Sequence, residues 1–413
     1  MSVKDLLKAH GEPPREVYLD LENSGWVPPE VVNAMIPYFN EIGYGHPAIT
    51  HKKGWEAYEL LYEAKEELVK RIGADSIDEV VFTHSGTEAN NLAILGTSLA
   101  NRDKKGKIVM SVIEHLSVIF PAEQASKLYG FKPIRIPVDE QGFIDPEIFK
   151  AYIDKDTTIV SIQMVNHEIG TIQNLKELVE IAKDINPNVI FHTDAADAFG
   201  KIDFNVKDLG VDLLTISSHK ILGPRGVGVL YIRKGTKVEP ILRGQLSVEK
   251  LWPGVENIPL IAGFRKAVEL AFNNFRGNVS KMRHLRDKLM KGILDNVPDV
   301  LVNGPMGDKR APDNINTAFL YAEGEAITVE FSLRGIYVSS GSACSSRVLE
   351  PSHVLLAIGR KHEEAHGSIL FKVSRYHSED DIDYVLENIP PAIERLRKIS
   401  SIKSNRRRTK RYF

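Results

Sequence analysis

Short apolar segments alternate with helical segments over about residues 77–232, and this alternation restricts the fold more than any other feature. The apolar segments are EVVFTH, KIVMSV, TTIVSIQMV, VIFHTD, DLLTIS and VGVLYIR. These segments lack the regular alternation of polar and apolar residues that half-exposed strands show. Helical segments separate them, and TEANNLAILGTSLA, for example, lies between the first two. The pattern therefore predicts an α/β domain with a mainly parallel sheet.

The C-terminal part of the chain has a different pattern. Long helical periodicity over about 258–294 precedes the strand candidates INTAFLYA, GIYVSS and SILFKVS and the closing helix SEDDIDYVLENIPPAIERLRKI. We expect a smaller α+β domain made of residues 1–15 and 258–400, beside a large domain at 16–257. The basic tail at 401–413 is expected to be disordered.

Composition excludes several classes of protein. Hydrophobic residues at 43%, charged residues at 26% and a net charge of −2 are typical of an ordinary soluble protein with no general attraction to nucleic acid or membrane. The charged N-terminal segment MSVKDLLKAHGEPP does not resemble a signal peptide, which predicts a cytoplasmic protein. A single cysteine, Cys344, excludes an internal disulfide and a cysteine-rich metal site held by this chain alone, and no metal is expected.

Three polar segments follow predicted strands, where ligands bind in open α/β sheets. Ser85-Gly86-Thr87 begins a helix and could bind a phosphate or be an ordinary helix cap. Asp194 could cap a helix or pair with a protonated ring nitrogen, and Lys220 could be a surface charge or a covalent anchor for an aldehyde. Together, in one domain and in this order, they are what pyridoxal phosphate requires.

At this point the chain resembles a known family, the cysteine desulfurases of the class-V aminotransferases. The resemblance extends from VYLDLENS to LRKI, and the matching motifs are TEANNLAI, IEH, NHEIGTIQ, HTDAADAFGK, SSHKILGPRGVGVLY, SGSACSS, LEPSHVLLAIG and SEDDIDY. It implies fold type I of the pyridoxal phosphate enzymes, with a mainly parallel seven-stranded sheet in the large domain, and it implies a homodimer.

The resemblance also implies a role for each matching residue. Lys220 would hold the cofactor covalently and move the substrate's Cα proton, with His115 stacked on the cofactor ring as a possible acid or base. Asp194 would keep the ring nitrogen protonated. Cys344 would take sulfur from L-cysteine as a persulfide, leaving L-alanine, and pass it to an acceptor for iron–sulfur cluster assembly or tRNA thiolation. The residues expected at the phosphate are Gly86, Thr87, Ser217 and His219.

Several positions depart from the family pattern at the cofactor and the substrate. His167 replaces the second of two asparagines, and Asp197 replaces the glutamine that bonds the cofactor's phenolic oxygen. We still expect both at the cofactor. Val255 replaces the threonine of a segment that reaches a phosphate across the dimer.

The expected substrate contacts also differ. Leu370 occupies the place of the arginine that would bind the substrate carboxylate, and Lys372 lies two residues further on the same predicted strand. We expect Lys372 and Asn23 to contact the substrate. Two alternatives remain open: a pyridoxal phosphate lyase or aminotransferase acting on another amino acid, and a weakly active scaffold for sulfur assembly.

Overall fold

The structure is a computed structural model that describes residues 11–245, 247–340 and 351–400. Each apolar segment predicted as a strand contains a strand in this structure. Three strands of the described residues fall outside those segments: Val17–Tyr18, Lys132–Ile136 and Val300–Val302. Lys132–Ile136 is an edge strand with exposed charged side chains, which is why it lacks the buried apolar pattern. In chain order the strands are β1 (Val17–Tyr18), β2 (Val80–Thr83), β3 (Lys107–Ser111), β4 (Lys132–Ile136), β5 (Thr157–Ser161), β6 (Ile190–Asp194), β7 (Leu213–Ser217), β8 (Gly228–Ile232), β9 (Val300–Val302), β10 (Asn314–Phe319), β11 (Ile336–Tyr337), β12 (Ser339–Ser340) and β13 (Ser368–Lys372).

The predicted helices are also present, with a π-helical turn at Leu92–Gly96 inside the first of them. In the part of the chain that the structure describes, no helix combines the length and the apolar character needed to cross a membrane. In chain order the α-helices are α1 (Pro29–Met35), α2 (Pro37–Asn40), α3 (Lys52–Ile72), α4 (Gly86–Asn91), α5 (Thr97–Ala100), α6 (Leu116–Tyr129), α7 (Pro146–Tyr152), α8 (Leu175–Ile185), α9 (Val206–Leu209), α10 (Ile258–Phe272), α11 (Phe275–Asn296), α12 (Gly324–Ser332), α13 (His353–Ala357), α14 (His362–His366) and α15 (Glu379–Ile399).

The chain forms two compact units. Of the described residues, the larger unit comprises 24–167, 171–245 and 247–279, and the smaller unit comprises 11–23, 168–170, 280–340 and 351–400. Helix α10, which the sequence analysis placed in the small domain, lies within the larger unit. Its apolar side packs against α1 and α3, since residues such as Ile261, Phe264 and Val268 are buried.

The larger unit is built on one seven-stranded sheet with the order β2-β8-β7-β6-β5-β3-β4. Strands β4, β3, β5, β6 and β7 are parallel, whereas β8 is antiparallel to both of its neighbours. The predicted mainly parallel α/β sheet is therefore confirmed. Because parallel strands end at the same edge, the residues that follow β5, β6 and β7 are brought to one edge of this sheet.

The smaller unit has two sheets of its own. An antiparallel sheet has the order β12-β13-β10-β9, and β1 pairs in parallel with β11. On β10 and β13, the central strands of the antiparallel sheet, Ile315, Phe319, Ile369 and Phe371 are fully buried. The pairing of β1 with β11 joins two distant chain segments, one near residue 17 and one near residue 336, in one unit.

Residues 168–170 belong to the smaller unit because a buried polar network binds them. The side-chain amides of Asn314 and Asn316 both donate to the carbonyl oxygen of Glu168, at 3.0 and 3.1 Å. Gly170 has a positive φ of 73°, and a Cβ atom there would lie 2.7 Å from Oδ1 of Asn314. Only glycine therefore fits this close approach without strain.

The side chain of Glu168 is buried against Ser352. The Ser352 hydroxyl lies 2.8 Å from Oε1 and 2.6 Å from Oε2 of the carboxyl group. Burial raises the pKa of Glu168 from 4.5 to about 8, although the Ser352 hydrogen bond lowers it, and the charge of Glu22 raises it further. Glu168 is therefore protonated in the folded protein at neutral pH.

We expect Glu168→Gln to change how stability depends on pH. The folded pKa lies above the unfolded one, so the wild type loses stability as the pH rises from about 4.5 to about 8, on the order of a few kcal/mol. Glutamine cannot ionise and removes this loss. The free energy of unfolding of both proteins is measured in urea at pH 5 and pH 8. The difference between the variant and the wild type should favour the variant more at pH 8 than at pH 5. The exposed Glu180→Gln is the control, and an equal difference at both pH values would contradict the prediction.

Candidate active site

The turn Ser85-Gly86-Thr87 connects β2 to α4 at the edge of the sheet. The Ser85 hydroxyl accepts a hydrogen bond from the backbone N–H of Glu88 at 3.1 Å, which caps the helix. The turn lies close to β7, since a Cβ atom at Gly86 would be 3.0 Å from Cβ of Ser217. The structure thus brings three of the predicted phosphate residues, Gly86, Thr87 and Ser217, to one place.

A second glycine permits this approach. Gly228 on β8 pairs with Ser217 and also faces the turn, where a Cβ atom would lie 2.2 Å from the carbonyl oxygen of Ser85. The fourth predicted phosphate residue, His219, is held beside Ser217, with 2.9 Å between its Nδ1 and the serine hydroxyl. Hydroxyl groups, an imidazole and the backbone N–H groups of a helix start therefore converge here, as anion binding requires.

Asp194 ends β6, next to β7, and its carboxylate is held at two oxygens. The backbone N–H of Ala196 donates to Oδ1 at 2.9 Å, and the side-chain amide of Asn90 donates to Oδ2 at 2.7 Å. Burial raises the pKa of Asp194, whereas these hydrogen bonds and the nearby His115 lower it. A buried carboxylate with a raised pKa gains from a cation placed beside it, such as a protonated ring nitrogen.

His115 precedes α6 and caps it through Nδ1. The backbone N–H of Ser117 donates to Nδ1 at 3.1 Å, and the Ser117 hydroxyl lies 2.6 Å from the same atom. Because a backbone N–H can only donate, Nδ1 must accept, and the proton of the neutral ring is on Nε2. The ring of His167 packs edge-on against His115, with 5.1 Å between the ring centroids.

A hydrogen-bond chain joins Asp194 to His115, and sequence reasoning missed its two central residues. The Asn90 amide donates to Asp194 and also to the Ser117 hydroxyl, at 2.8 Å. Asn90 lies on α4 and Ser117 on α6, so their contact depends on how these helices pack. The sequence signal was slight: Asn90 belongs to the motif TEANN, where it could equally have been a helix-surface residue.

Lys220 lies in a short 3-10 helix, Ser218–Ile221, directly after β7. Its ammonium donates to Oδ2 of Asp197 at 2.9 Å, and both side chains are buried. Lys201 approaches the other oxygen of Asp197, at 3.7 Å. The acid that replaces the family glutamine is therefore an ion-pair partner of the candidate cofactor lysine.

The expected substrate residues lie in the smaller unit. Lys372 is 1% exposed, and its ammonium lies 2.7 Å from a carboxylate oxygen of Glu22. Leu370 is also buried, two residues earlier on β13. Asn23 is exposed, and its amide donates to Asp20 at 2.9 Å. Cys344 and the segment SGSACSS around it, apart from Ser340, lie outside the described residues.

The residues of the larger unit fit pyridoxal phosphate. The phosphate would be held by Gly86, Thr87, Ser217 and His219, where the absence of a side chain at Gly86 leaves room beside Ser217. Asp194 offers a carboxylate for the ring nitrogen, and Lys220 an amine for the aldehyde. We therefore find the predicted cofactor residues grouped at one edge of the sheet.

Comparison with known proteins agrees with this site. The sequence model of the class-V aminotransferases matches residues 17–385. The chain belongs to this family. Its fold is that of the type I pyridoxal phosphate enzymes, and its cofactor is pyridoxal 5′-phosphate, as in the family.

Similar proteins include desulfurases. The chain is 44% identical over 389 residues to the cysteine desulfurase IscS of Dictyoglomus turgidum, covering 94% of this chain and 97% of that protein. A solved NifS-like protein is 32% identical with a TM-score of 0.86, covering 92% of this chain and 100% of the other. A structure described as SspA in complex with cysteine is 29% identical with a TM-score of 0.76, covering 87% and 99%.

We expect Asn90→Ala to weaken cofactor binding. The substitution removes a hydrogen bond to a carboxylate, a loss of about 1.5–3 kcal/mol, so the dissociation constant of pyridoxal phosphate should rise about tenfold or more. Absorbance titration of the cofactor-free protein measures it. The neighbouring Asn91→Ala is the control, because Asn91 donates only to the carbonyl of Thr87 on the surface of α4. Equal affinities of the two variants would show that Asn90 does not support the ring contact.

Proposed function

We infer that the protein is a pyridoxal phosphate-dependent cysteine desulfurase, which converts L-cysteine to L-alanine and transfers the sulfur through Cys344. The observation that carries this proposal is the grouping of Lys220, Asp194 and His115 at one sheet edge of a class-V fold. The desulfurase relatives support the same reaction.

Each residue of the larger unit has a part in this reaction. Pyridoxal phosphate, when bound, supplies an electron-accepting ring. Asp194 keeps a negative charge at the ring nitrogen, and the Asn90 amide orients that carboxylate. Lys220 holds the cofactor and moves a proton at its amine nitrogen. His115 presents its Nε2 proton, because Ser117 fixes Nδ1 as an acceptor.

Cys344 is the proposed sulfur acceptor within the chain. It is the only cysteine, and the segment SGSACSS around it matches the desulfurase pattern. Its thiolate would attack the substrate sulfur: an S–S bond forms as a persulfide on Cys344, the substrate's Cβ–S bond breaks with its electron pair left on the carbon side, and uptake of a proton gives alanine. A second protein would then take the sulfur, for iron–sulfur cluster assembly or tRNA thiolation. The cytoplasmic location stays a prediction.

Lys372 and Asn23 are the proposed substrate contacts, and at Lys372 the substrate would have to compete with a group that is already bound. The Lys372 ammonium is already paired with the Glu22 carboxylate, so a substrate carboxylate would have to compete with Glu22. With leucine at position 370, no guanidinium is available there for a two-point carboxylate contact.

We also propose that the protein is a homodimer. Exposed aromatic side chains lie on one side of α3, at Trp55, Tyr58 and Tyr62, and further exposed apolar residues precede them. Phe39 and Val255 line an open pocket of about 600 Å³, and Val255 is 61% exposed. A second copy of the chain would cover this surface, and sedimentation equilibrium measures whether one or two copies are present.

The desulfurase proposal predicts different losses in two variants. Cys344→Ser should bind the cofactor but release no sulfide, because a hydroxyl is a much poorer nucleophile toward sulfur than a thiolate. Lys220→Ala should lose covalent cofactor capture and turnover. Sulfide and alanine are measured together after incubation with cysteine and a reductant. Alanine production by Cys344→Ser at the wild-type rate would favour the alternative enzyme class.

If Lys372 binds the substrate, substitutions of Lys372 and of its ion-pair partner Glu22 should change KM in opposite directions. Lys372→Met should raise KM for cysteine about tenfold or more through the loss of a charge-assisted contact. Glu22→Gln should lower KM, because the competing carboxylate is gone. Both should lower Tm, since each leaves a buried charge without its partner. If Tm falls in both variants while neither KM moves, the pair is structural and Lys372 does not bind substrate.

A further inference from the structure

Asp197 lies in direct contact with the lysine proposed to hold the cofactor. Its Oδ2 is 2.9 Å from the ammonium of Lys220, and the exposed fractions of the two side chains are 5% and 8%. The family pattern has a glutamine at this position, so a neutral amide is replaced by a carboxylate.

Other charged groups surround the pair. Lys201, four residues beyond Asp197, has its ammonium 3.7 Å from Oδ1. The charge of Asp197 raises the pKa of Asp194, whereas His115 lowers it. Asp197 thus lies between two lysines.

His219 is the remaining titratable group next to Lys220 in the chain. Its Nδ1 is 2.9 Å from the Ser217 hydroxyl, which orients the ring toward the phosphate residues. Lys220 is in hydrogen-bond contact with the carboxylate of Asp197.

We propose that Asp197 controls cofactor capture, by holding Lys220 as an ammonium until the pH is high enough for the lysine to release its proton. The proposal rests on the assignment of Lys220 as the residue that binds the cofactor. It gives Asp197 a positioning and charge-setting role that a glutamine cannot have, because an amide does not stabilise a neighbouring ammonium by its net charge.

The chemistry of capture explains why this matters. The lone pair of the neutral amine adds to the aldehyde carbon of pyridoxal phosphate, a carbon–nitrogen double bond forms, and one water leaves. An ammonium has no lone pair, so it must first give its proton to solvent. Every interaction that favours the ammonium therefore raises the pH required for capture.

The test is the rate of cofactor capture by the cofactor-free protein, followed by absorbance after rapid mixing from pH 6 to pH 10. An opposite charge in contact moves the pH midpoint of a titration by about 1–3 units. In Asp197→Asn, the pH at which capture reaches half its maximal rate should therefore be lower by at least about one unit. Near neutral pH, this variant should capture the cofactor about tenfold faster than the wild type. Lys201→Met should move the midpoint upward, because it removes a cation that shares Asp197 with Lys220.

A second readout uses no cofactor. Acetylation of Lys220 by acetic anhydride, quantified by mass spectrometry of its peptide, should show the same order of midpoints in the three proteins. Asp197→Gln, the residue of the family pattern, is the second uncharged variant and should behave as Asp197→Asn. Unchanged midpoints in both uncharged variants would overturn the proposal.

Failure of the underlying assignment is distinguishable from failure of the proposal. If Lys220→Ala still forms a borohydride-reducible bond with the cofactor, another lysine is the anchor, and the assignment of Lys220 falls. If Lys220→Ala abolishes the bond while Asp197→Asn keeps the wild-type midpoint, Lys220 is the anchor and Asp197 does not control it.

Discussion

The parallel register of β6 and β7 is the constraint on which the candidate site depends. Asp194 is paired with Thr215, and the two strands end side by side, so a carboxylate and the segment from Ser217 to Lys220 emerge at the same edge. The turn at Gly86 then contacts Ser217, since neither Gly86 nor Gly228 has a side chain to keep it away. Candidate cofactor residues more than a hundred positions apart are brought together by strand pairing and two close backbone approaches.

Buried charge gives this edge its chemistry. A carboxylate removed from water is costly unless donors or cations compensate it. Asp194 has a backbone N–H and the Asn90 amide, and Asp197 has Lys220. These contacts hold the groups in fixed positions, which is what a cofactor with a basic ring nitrogen and a reactive aldehyde requires.

The smaller unit uses buried charge differently. Glu22 pairs with Lys372, and Glu168 is held neutral against Ser352. Family membership and the cofactor follow from the matching motifs and the fold, whereas Asp197, Leu370 and Val255 depart from the family pattern at positions proposed to contact cofactor, substrate and partner.

The sequence by itself predicted six of the seven strands of the larger sheet, most helices and the candidate cofactor residues. Buried parallel strands have unbroken apolar segments, and Lys220, Asp194 and His115 occur in local motifs specific enough to be recognised. The sequence did not predict the edge strand β4, because its exposed face lacks an unbroken apolar segment. Only the tertiary structure decided which side chains meet: Asn90 with Ser117, Asp197 with Lys220, and Lys372 with Glu22. These pairs join different strands, helices and loops, so their contacts depend on packing geometry that no local stretch of sequence specifies.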